Sequence, residues 1–521
     1  MPKVGSDHLF RLIKSLNRAE IRYFKKTEAA KKHKDATQNI LLFESLEKEN
    51  EYEEIKIRTG LEDKIPSKNF AVAKLRLYEA VLNALGEFHS SGTQDATIKK
   101  EIHFAEILFK KSLYEQCKKV LDGARKKAEK FQKHYFLIEI SQWEKRLIEK
   151  DNYAGISEVD LGAIRERDAQ LASWIANFND FWDLKSRFFM ILNKGGRARS
   201  GEDEEKFKAV INDPRLNDPN KATTVQSRYL FHHIYSAYYF GMGEYQSCYE
   251  HLGSNISLME RNLEIFEEEP NAYFSVLTNA IFVGTRLKKY TEVLPMLDKL
   301  RKIPEIFPIA GNEDLELKLF SSRTSIEISF YNTIGDFEKG IELMEEIEEG
   351  IERFGSKINP VRRGFFYLNL AVACFGAGKT NLALRWINLL LNDSEIEENQ
   401  DIHCFAKIFD LIVHLELGNE DLIPYTYKST SRYLKKRKRV YRFESVFLDF
   451  VDDLMKRKEL EPQRVKYEKL AADLKELRED KHEKAIFEYF DFHAWALAKS
   501  LRREFGEIIR ETAGIQTTGL K

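Results

Sequence analysis

The tripeptide Gly378-Lys379-Thr380 closes the stretch ACFGAGKT (373–380) and carries the residue types that end a nucleotide-binding phosphate loop. Such a loop needs GxxxxGK[ST] between a strand and a helix, because its backbone N–H groups must turn inward around phosphate oxygens. The first glycine position is Ala373 here, and the residues before it have the small-residue spacing of a helix. No later strand ending in Asp is evident to hold magnesium. The tripeptide is therefore read as a bend between two helices.

Other reactive residue types are scattered. Cys117, Cys248, Cys374 and Cys404 form no CxxC pair, which argues against zinc and against a secreted disulfide framework. Free cysteine packs as a small hydrophobe, and Cys117 and Cys248 sit where a helix hairpin wants a small residue. His232 and His233 are adjacent, and neighbours on a helix point about 100° apart, so they cannot easily share one ion. Neither HExxH nor GxSxG occurs, and the carboxylate run GIELMEEIEEGIER reads as a solvated helix face. The expectation is a non-enzymatic protein with no metal and no cofactor.

Two features point to an anionic partner instead. Lys435, Lys436, Arg437, Lys438 and Arg439 are consecutive, flanked by Arg432 and Arg442. Clustered cations gain by counterion release on nucleic acid, or they form the polar face of a long helix whose apolar stripe runs on through Val440, Phe443 and Phe447. Near the N-terminus, EYEEIKIRTGLEDKIPSKNFAVAKLRLYEAVL superficially matches a helix-turn-helix with Gly60 at the turn. Lys56 stands where a small residue should let those helices cross, and Pro66 intrudes on the would-be recognition helix.

The elements that must position these residues are helices. The chain has 521 residues, 11 of them Pro and 26 Gly, and so few breakers favour long helices over short strands. Lys+Arg 83 against Asp+Glu 84 gives a net charge of −1, so attraction for nucleic acid or membrane would have to be local. The start MPKVGSDHLFRLIKSLNRAE has no apolar run of signal-peptide length, and no apolar stretch reaches the ~20 residues of a membrane span. A cytoplasmic protein without membrane insertion is expected.

Residues 1–95 read as a helical module. Ser6 is a candidate cap for the first helix, Asn17 with Glu20 makes a capping box for the second, Ile40, Leu41, Phe43 and Leu46 mark a third, and Phe70, Leu75, Tyr78, Leu82 and Leu85 recur at helical spacing in a fourth. From 96 to 430 one pattern repeats. Its clearest copy, NLAVACFGAGKTNLALRWINLLL, places Tyr367, Leu370, Ala371, Phe375, Gly378, Ala383 and Leu390 in the slots of a helix hairpin with a glycine turn. Further copies turn at 243, 288, 335 and 418, and weaker ones sit near Tyr114 and Asn152. Intervals of 45, 47, 43 and 40 residues exceed the ~34 of a standard tetratricopeptide repeat. Residues 193–227, rich in Gly, Pro, Asn and charge, read as an irregular connection holding one short helix. Beyond 431 the chain reads as long charged helices, the last carrying Phe487, Phe490, Ala494, Leu497, Leu501, Phe505 and Ile508, which suit a cap on an exposed apolar end.

The hairpin slots resemble tetratricopeptide repeats, in an elongated and irregular form, and with the N-terminal module the whole is similar to bacterial tetratricopeptide-like proteins. The resemblance implies an all-α, right-handed superhelical solenoid whose first helices line a concave groove, and a scaffold or adaptor that binds a peptide or protein there. It supplies no activity. Slot alignment puts His233, Asn279, Arg286, Asn332 and Asn369 on the groove face, with Arg362 and Arg363 placed to take a carboxylate. The terminal helices can cap the array or pair with another copy of the chain. The alternative is a regulator of this repeat type that binds nucleic acid through the N-terminal module or the basic run.

Overall fold

The computed structural model describes residues 7–31, 33–90, 92–195, 198, 201–397, 400–437, 440–456, 462–480 and 483–514. Among them every regular element is a helix. The chain opens with α1 (His8–Ser15), α2 (Arg18–Ala30), α3 (Lys34–Lys48), α4 (Glu54–Gly60) and α5 (Phe70–Phe88). Then follow α6 (Gln94–Lys110), α7 (Tyr114–Lys130), α8 (His134–Lys150), α9 (Glu158–Gly195), α10 (Gly201–Ile211), α11 (Val225–Met242) and α12 (Tyr245–Glu260). The middle holds α13 (Leu263–Phe266), α14 (Pro270–Arg286), α15 (Tyr290–Arg301), α16 (Ile303–Ile306), α17 (Glu313–Ile334), α18 (Phe337–Glu342) and α19 (Met344–Phe354). Next come α20 (Pro360–Gly376), α21 (Thr380–Asn392), α22 (Ser394–Glu397), α23 (Gln400–Glu416) and α24 (Ile423–Lys436). The chain ends in α25 (Arg442–Met455), α26 (Gln463–Glu479), α27 (Phe492–Leu501) and α28 (Phe505–Ala513).

Contacts divide these helices between two units, one of residues 1–183 with 220–227 and 262–268, the other of 184–219, 228–261 and 269–521. In the first, α1 to α5 enclose Phe24, Leu42, Phe43, Leu77 and Val81. The capping box forms: Asn17 Oδ1 accepts from Ala19 N and Glu20 N at 2.9 and 3.0 Å, and Asn17 N donates to Glu20 Oε2 at 2.8 Å. Ser6 lies outside the described residues. In α5 the buried stripe is Phe70, Ala73, Leu77, Ala80, Val81 and Ala84, whereas Leu75 and Leu82 are 59% and 43% exposed. The helix turns its alanines inward, so α2 and α3 can approach its backbone, and a stripe read from the largest side chains falls partly on the outer face. In the same unit α6 packs on α7 and α7 on α8 around Ile98, Cys117, Leu121 and Ile140.

One turn is reused throughout the chain. Each first helix ends on a residue with positive φ, and the next residue's N–H reaches back five positions to a helix carbonyl. Gly378 (φ 73°) is followed by Lys379 N donating to Cys374 O at 2.8 Å. Equivalent pairs are Gly243 with Glu244 N to Tyr239 O, Lys288 with Lys289 N to Gly284 O, Gly335 with Asp336 N to Tyr331 O, and Gly418 with Asn419 N to His414 O. Thus all five expected turn positions are left-handed. The motif satisfies carbonyls that a helix end leaves unpaired, and it reverses the chain within three residues. Ser112, Gln132, Asn152 and Arg502 make the same turn without glycine.

In the second unit successive hairpins pack first helix to first helix, α14 on α17 and α17 on α20. A continuous core runs from Phe320 to Ile509, including Phe366, Ile387, Phe405, Phe409, Phe447 and Trp495. Cys117, Cys248 and Ala383 are all buried at the small-residue slot, and burial pushes the Cys248 thiol up to about 12.

Two helical expectations are corrected. The final segment is not one helix: it is a 3-10 turn (Lys484–Glu488), α27 and α28, broken at Arg502, whose φ is 55°. Leu501 is exposed while Ile508 and Ile509 are buried, so two apolar faces point in different directions and a break is needed between them. The basic run is not the face of a long helix either. Helix α24 stops at Lys436 and α25 begins at Arg442, where Glu444 accepts from Tyr441 N and Glu483 accepts from Arg442 N and Phe443 N at 3.1 and 3.2 Å. Those carboxylates satisfy a helix start that consecutive cations could not. Val440 lies in this bend, 38% exposed.

The turn and the crossing can be tested separately. Gly378 has open space around its missing Cβ but a positive φ, whereas a Cβ on Gly376 would overlap the Phe337 ring. Gly378→Ala is expected to cost about 1 kcal/mol from backbone strain alone, and Gly376→Ala about 1–3 kcal/mol from overpacking. Denaturant unfolding of both variants checks this ordering.

Candidate functional site

The residues expected on the first-helix face do lie on four first helices, but few of them are free. On α14, Asn279, Phe282 and Arg286 share one face at i, i+3 and i+7. Asn279 is exposed, and the Arg286 guanidinium sits 5.1 Å over the Phe282 ring and 3.3 Å from Glu488. On α20, Arg362, Phe365 and Asn369 repeat this spacing. Arg362 is exposed, with surrounding protein lowering its pKa by desolvation. Asn369 Nδ2 donates to Phe365 O at 2.8 Å, and its own carbonyl accepts from Asn332 Nδ2 of α17 at 3.0 Å. Asn332 Oδ1 is buried and accepts no hydrogen bond from the described residues. Arg363 points away to Asp393 and Glu395, each 2.7 Å distant.

On α11, His233 lies between the rings of Phe189 and Tyr229, at 4.9 and 5.5 Å. Burial, helped by Lys185, pushes its pKa down to about 4. Its neighbour His232 meets His251 of α12, Nδ1 to Nδ1 at 3.0 Å, so one ring donates and the other accepts. Desolvation and the facing ring hold His232 near 4 as well, and burial lowers His251.

What the sequence did not disclose is a second polypeptide segment on this face. The chain returns after α26, and residues 486–513 run across the first helices of its own unit. Glu488 meets Arg286, Tyr489 stacks on Phe365 at 6.0 Å, and Phe490 packs against Phe375 and Phe409 at 5.5 and 4.9 Å. Glu416 of α23 accepts from Trp495 Nε1 at 2.8 Å and pairs with Lys499 at 3.0 Å. Arg510 donates to Gly335 O and Lys288 to Thr512 O, at 3.0 and 2.8 Å. Beside α28 a cleft of about 650 Å³ remains, bordered by Gly335, Phe337, Thr380, Trp495, Lys499 and Arg510.

The Gly-Lys-Thr tripeptide borders that cleft, but the amides of Gly378 and Lys379 are committed. The N–H groups of Ala377, Gly378 and Lys379 donate to Ala373, Phe375 and Cys374 carbonyls, and Lys379 Nζ pairs with Glu338 at 3.0 Å. A phosphate cradle needs those amides free.

The basic residues divide. Arg442 pairs with Glu476 at 3.4 Å, and Arg437 lies 4.4 Å over the Tyr433 ring. Arg432, Lys435 and Lys436 are exposed on α24. Lys438 and Arg439 lie outside the described residues. Among the described residues no group of three or more His, Cys, Asp or Glu could hold a metal ion, and no helix is long and apolar enough to cross a membrane.

A proton bound more readily by the unfolded chain destabilises the fold. Histidines held below 6.5 therefore contribute stability at neutral pH that is lost as pH falls from 6.5 toward 4. The apparent midpoint of thermal unfolding is expected to drop across that window, and the drop to shrink in His232→Gln and His251→Gln. A flat profile in the parent protein would contradict the burial of these rings.

No protein-family model matches this chain, and a search of curated proteins finds no relative.

Proposed function

We propose that this chain is a tetratricopeptide-like, right-handed superhelical solenoid acting as a non-enzymatic scaffold, whose first-helix face takes a peptide or protein partner in the cytoplasm. One observation carries the reading: that face already receives a polypeptide, residues 486–513 of the same chain. Its chemistry suits such a ligand. Arg286 takes a carboxylate, Phe365 an aromatic ring and Glu416 an indole N–H with an ammonium group. An external partner would use what the return segment leaves open, namely Asn279 and the exposed Arg362.

Peptides selected from a displayed library against the full chain are expected to carry a carboxylate near an aromatic residue. They are expected to weaken about tenfold, the equivalent of 1.4 kcal/mol, in the Asn279→Ala/Arg362→Ala double variant. Selected peptides that bind parent and variant alike would remove the first-helix face from consideration. ATP with magnesium is expected to leave the unfolding midpoint unchanged, because a ligand stabilises only what it binds. A stabilisation abolished by Lys379→Ala would replace the scaffold with a nucleotide enzyme.

A further inference from the structure

We infer that the outer face of α24 is a docking ridge for single-stranded nucleic acid, separate from the first-helix face. The residues Tyr425, Lys428, Arg432, Lys435 and Lys436 fall within a third of the helix circumference at 100° per residue, along about 16 Å of axis. All five are exposed, Tyr425 by 74%. The helix sequence, IPYTYKSTSRYLKK, contains no Asp or Glu. None of the four cations makes an ion pair among the described residues, in a chain whose net charge is −1.

The reason for that isolation lies in how the other hairpins treat their outer faces. Lys299 of α15 pairs with Glu260 of α12, and Arg385 of α21 pairs with Glu348 of α19 at 3.0 Å. These two second helices thus neutralise a cation with a carboxylate of an earlier helix. The ladder stops at α21, whose sequence TNLALRWINLLLN offers no carboxylate, so α24 is left with unpaired positive charge. The cations nearest the helix C-terminus, Lys435 and Lys436, gain from the helix dipole, but Lys428 and Arg432 lie too far along the helix for that explanation.

Aromatic exposure decides among anionic partners. Tyr425 stands at one end of the ridge, and Tyr441, 52% exposed, lies in the bend beyond the other. Cations at intervals of about 4.5–6 Å along the axis suit a phosphate backbone. A flanking ring offers a base a stacking surface without sequence preference. An acidic peptide would use the charges and leave the tyrosines idle.

Fluorescence anisotropy of the full chain with labelled oligo-dT and oligo-U tests this. Binding at low salt is expected to weaken with salt at a log–log slope of about −2 to −3, the value for three or four released counterions on a single strand. Lys428→Glu/Arg432→Glu/Lys435→Glu is expected to reduce affinity at least tenfold, and Tyr425→Ala about fivefold or more. Lys118→Glu/Lys119→Glu/Lys126→Glu, which changes net charge equally on the exposed surface of α7, should reduce it far less. No binding to either oligonucleotide at low salt would overturn the inference. So would equal losses in the two triple variants, or binding indifferent to Tyr425→Ala and matched by polyglutamate.

Discussion

Every hairpin in this chain must reverse direction in about three residues without leaving the last carbonyls of a helix unpaired, and that constraint governs the rest. The left-handed residue and the five-position backbone bond that follows it meet both demands. Where glycine fills the position, as at Gly243, Gly335, Gly378 and Gly418, the backbone cost is small. Where Ser112, Gln132, Lys288 or Arg502 fills it, roughly 1 kcal/mol or more of strain must be offset by packing of the helices it joins. The same bond settles what Gly378-Lys379-Thr380 can do. An amide spent on Cys374 O cannot turn toward a phosphate, so a sequence that resembles a nucleotide loop is committed to folding.

The second constraint is close approach. Gly376 admits the Phe337 ring, which stacks on Phe505 of α28 at 5.7 Å. Phe505 in turn meets Phe490 at 5.0 Å, and Phe490 reaches Phe409. A missing methyl group on one first helix therefore opens a line of rings that fixes the returning C-terminal segment. This is why residues far apart in sequence share one core, and why α27 and α28 lie on the first helices as well as beyond the last hairpin. The face is shared between an internal occupant and a remainder bearing Asn279 and Arg362.

Legibility of the sequence follows the range of the interaction involved. Glycine turns were readable because the residue type itself permits positive φ. The same turn at Gln132 was missed, since nothing about glutamine announces a left-handed backbone. The inner face of α5 was misread toward Leu75 and Leu82 because burial there is set by the small residues Ala73, Ala80 and Ala84. The break before Arg442 was invisible for another reason: its cap, Glu483, lies 40 residues downstream. For the site, the slots of Asn332 and Asn369 fall on helices that pack together, α17 and α20, but nothing local in the sequence announces that the Asn332 side-chain amide donates to the Asn369 backbone carbonyl. Arg286 is placed by its slot only on the groove face, with no partner assigned, and it meets a carboxylate there. That the carboxylate is Glu488 of the same chain depends on a tertiary return that no local pattern encodes.

Charge on the outer helices obeys the same logic of neighbours. A nearly neutral chain with 167 charged residues disperses charge well only if each cation faces an acid on an adjacent helix, and most exposed pairs of this kind contribute little stability individually. Their collective effect is to erase local fields, so that surfaces differ by where the pairing fails. On α24 pairing fails, and the preceding second helix, α21, spends its outward positions on Asn, Leu and Arg. Apolar and amide residues there cannot cancel a cation. Loss of acids from one helix thus creates a field on the next, and a single-signed ridge arises without any change in fold or in overall charge.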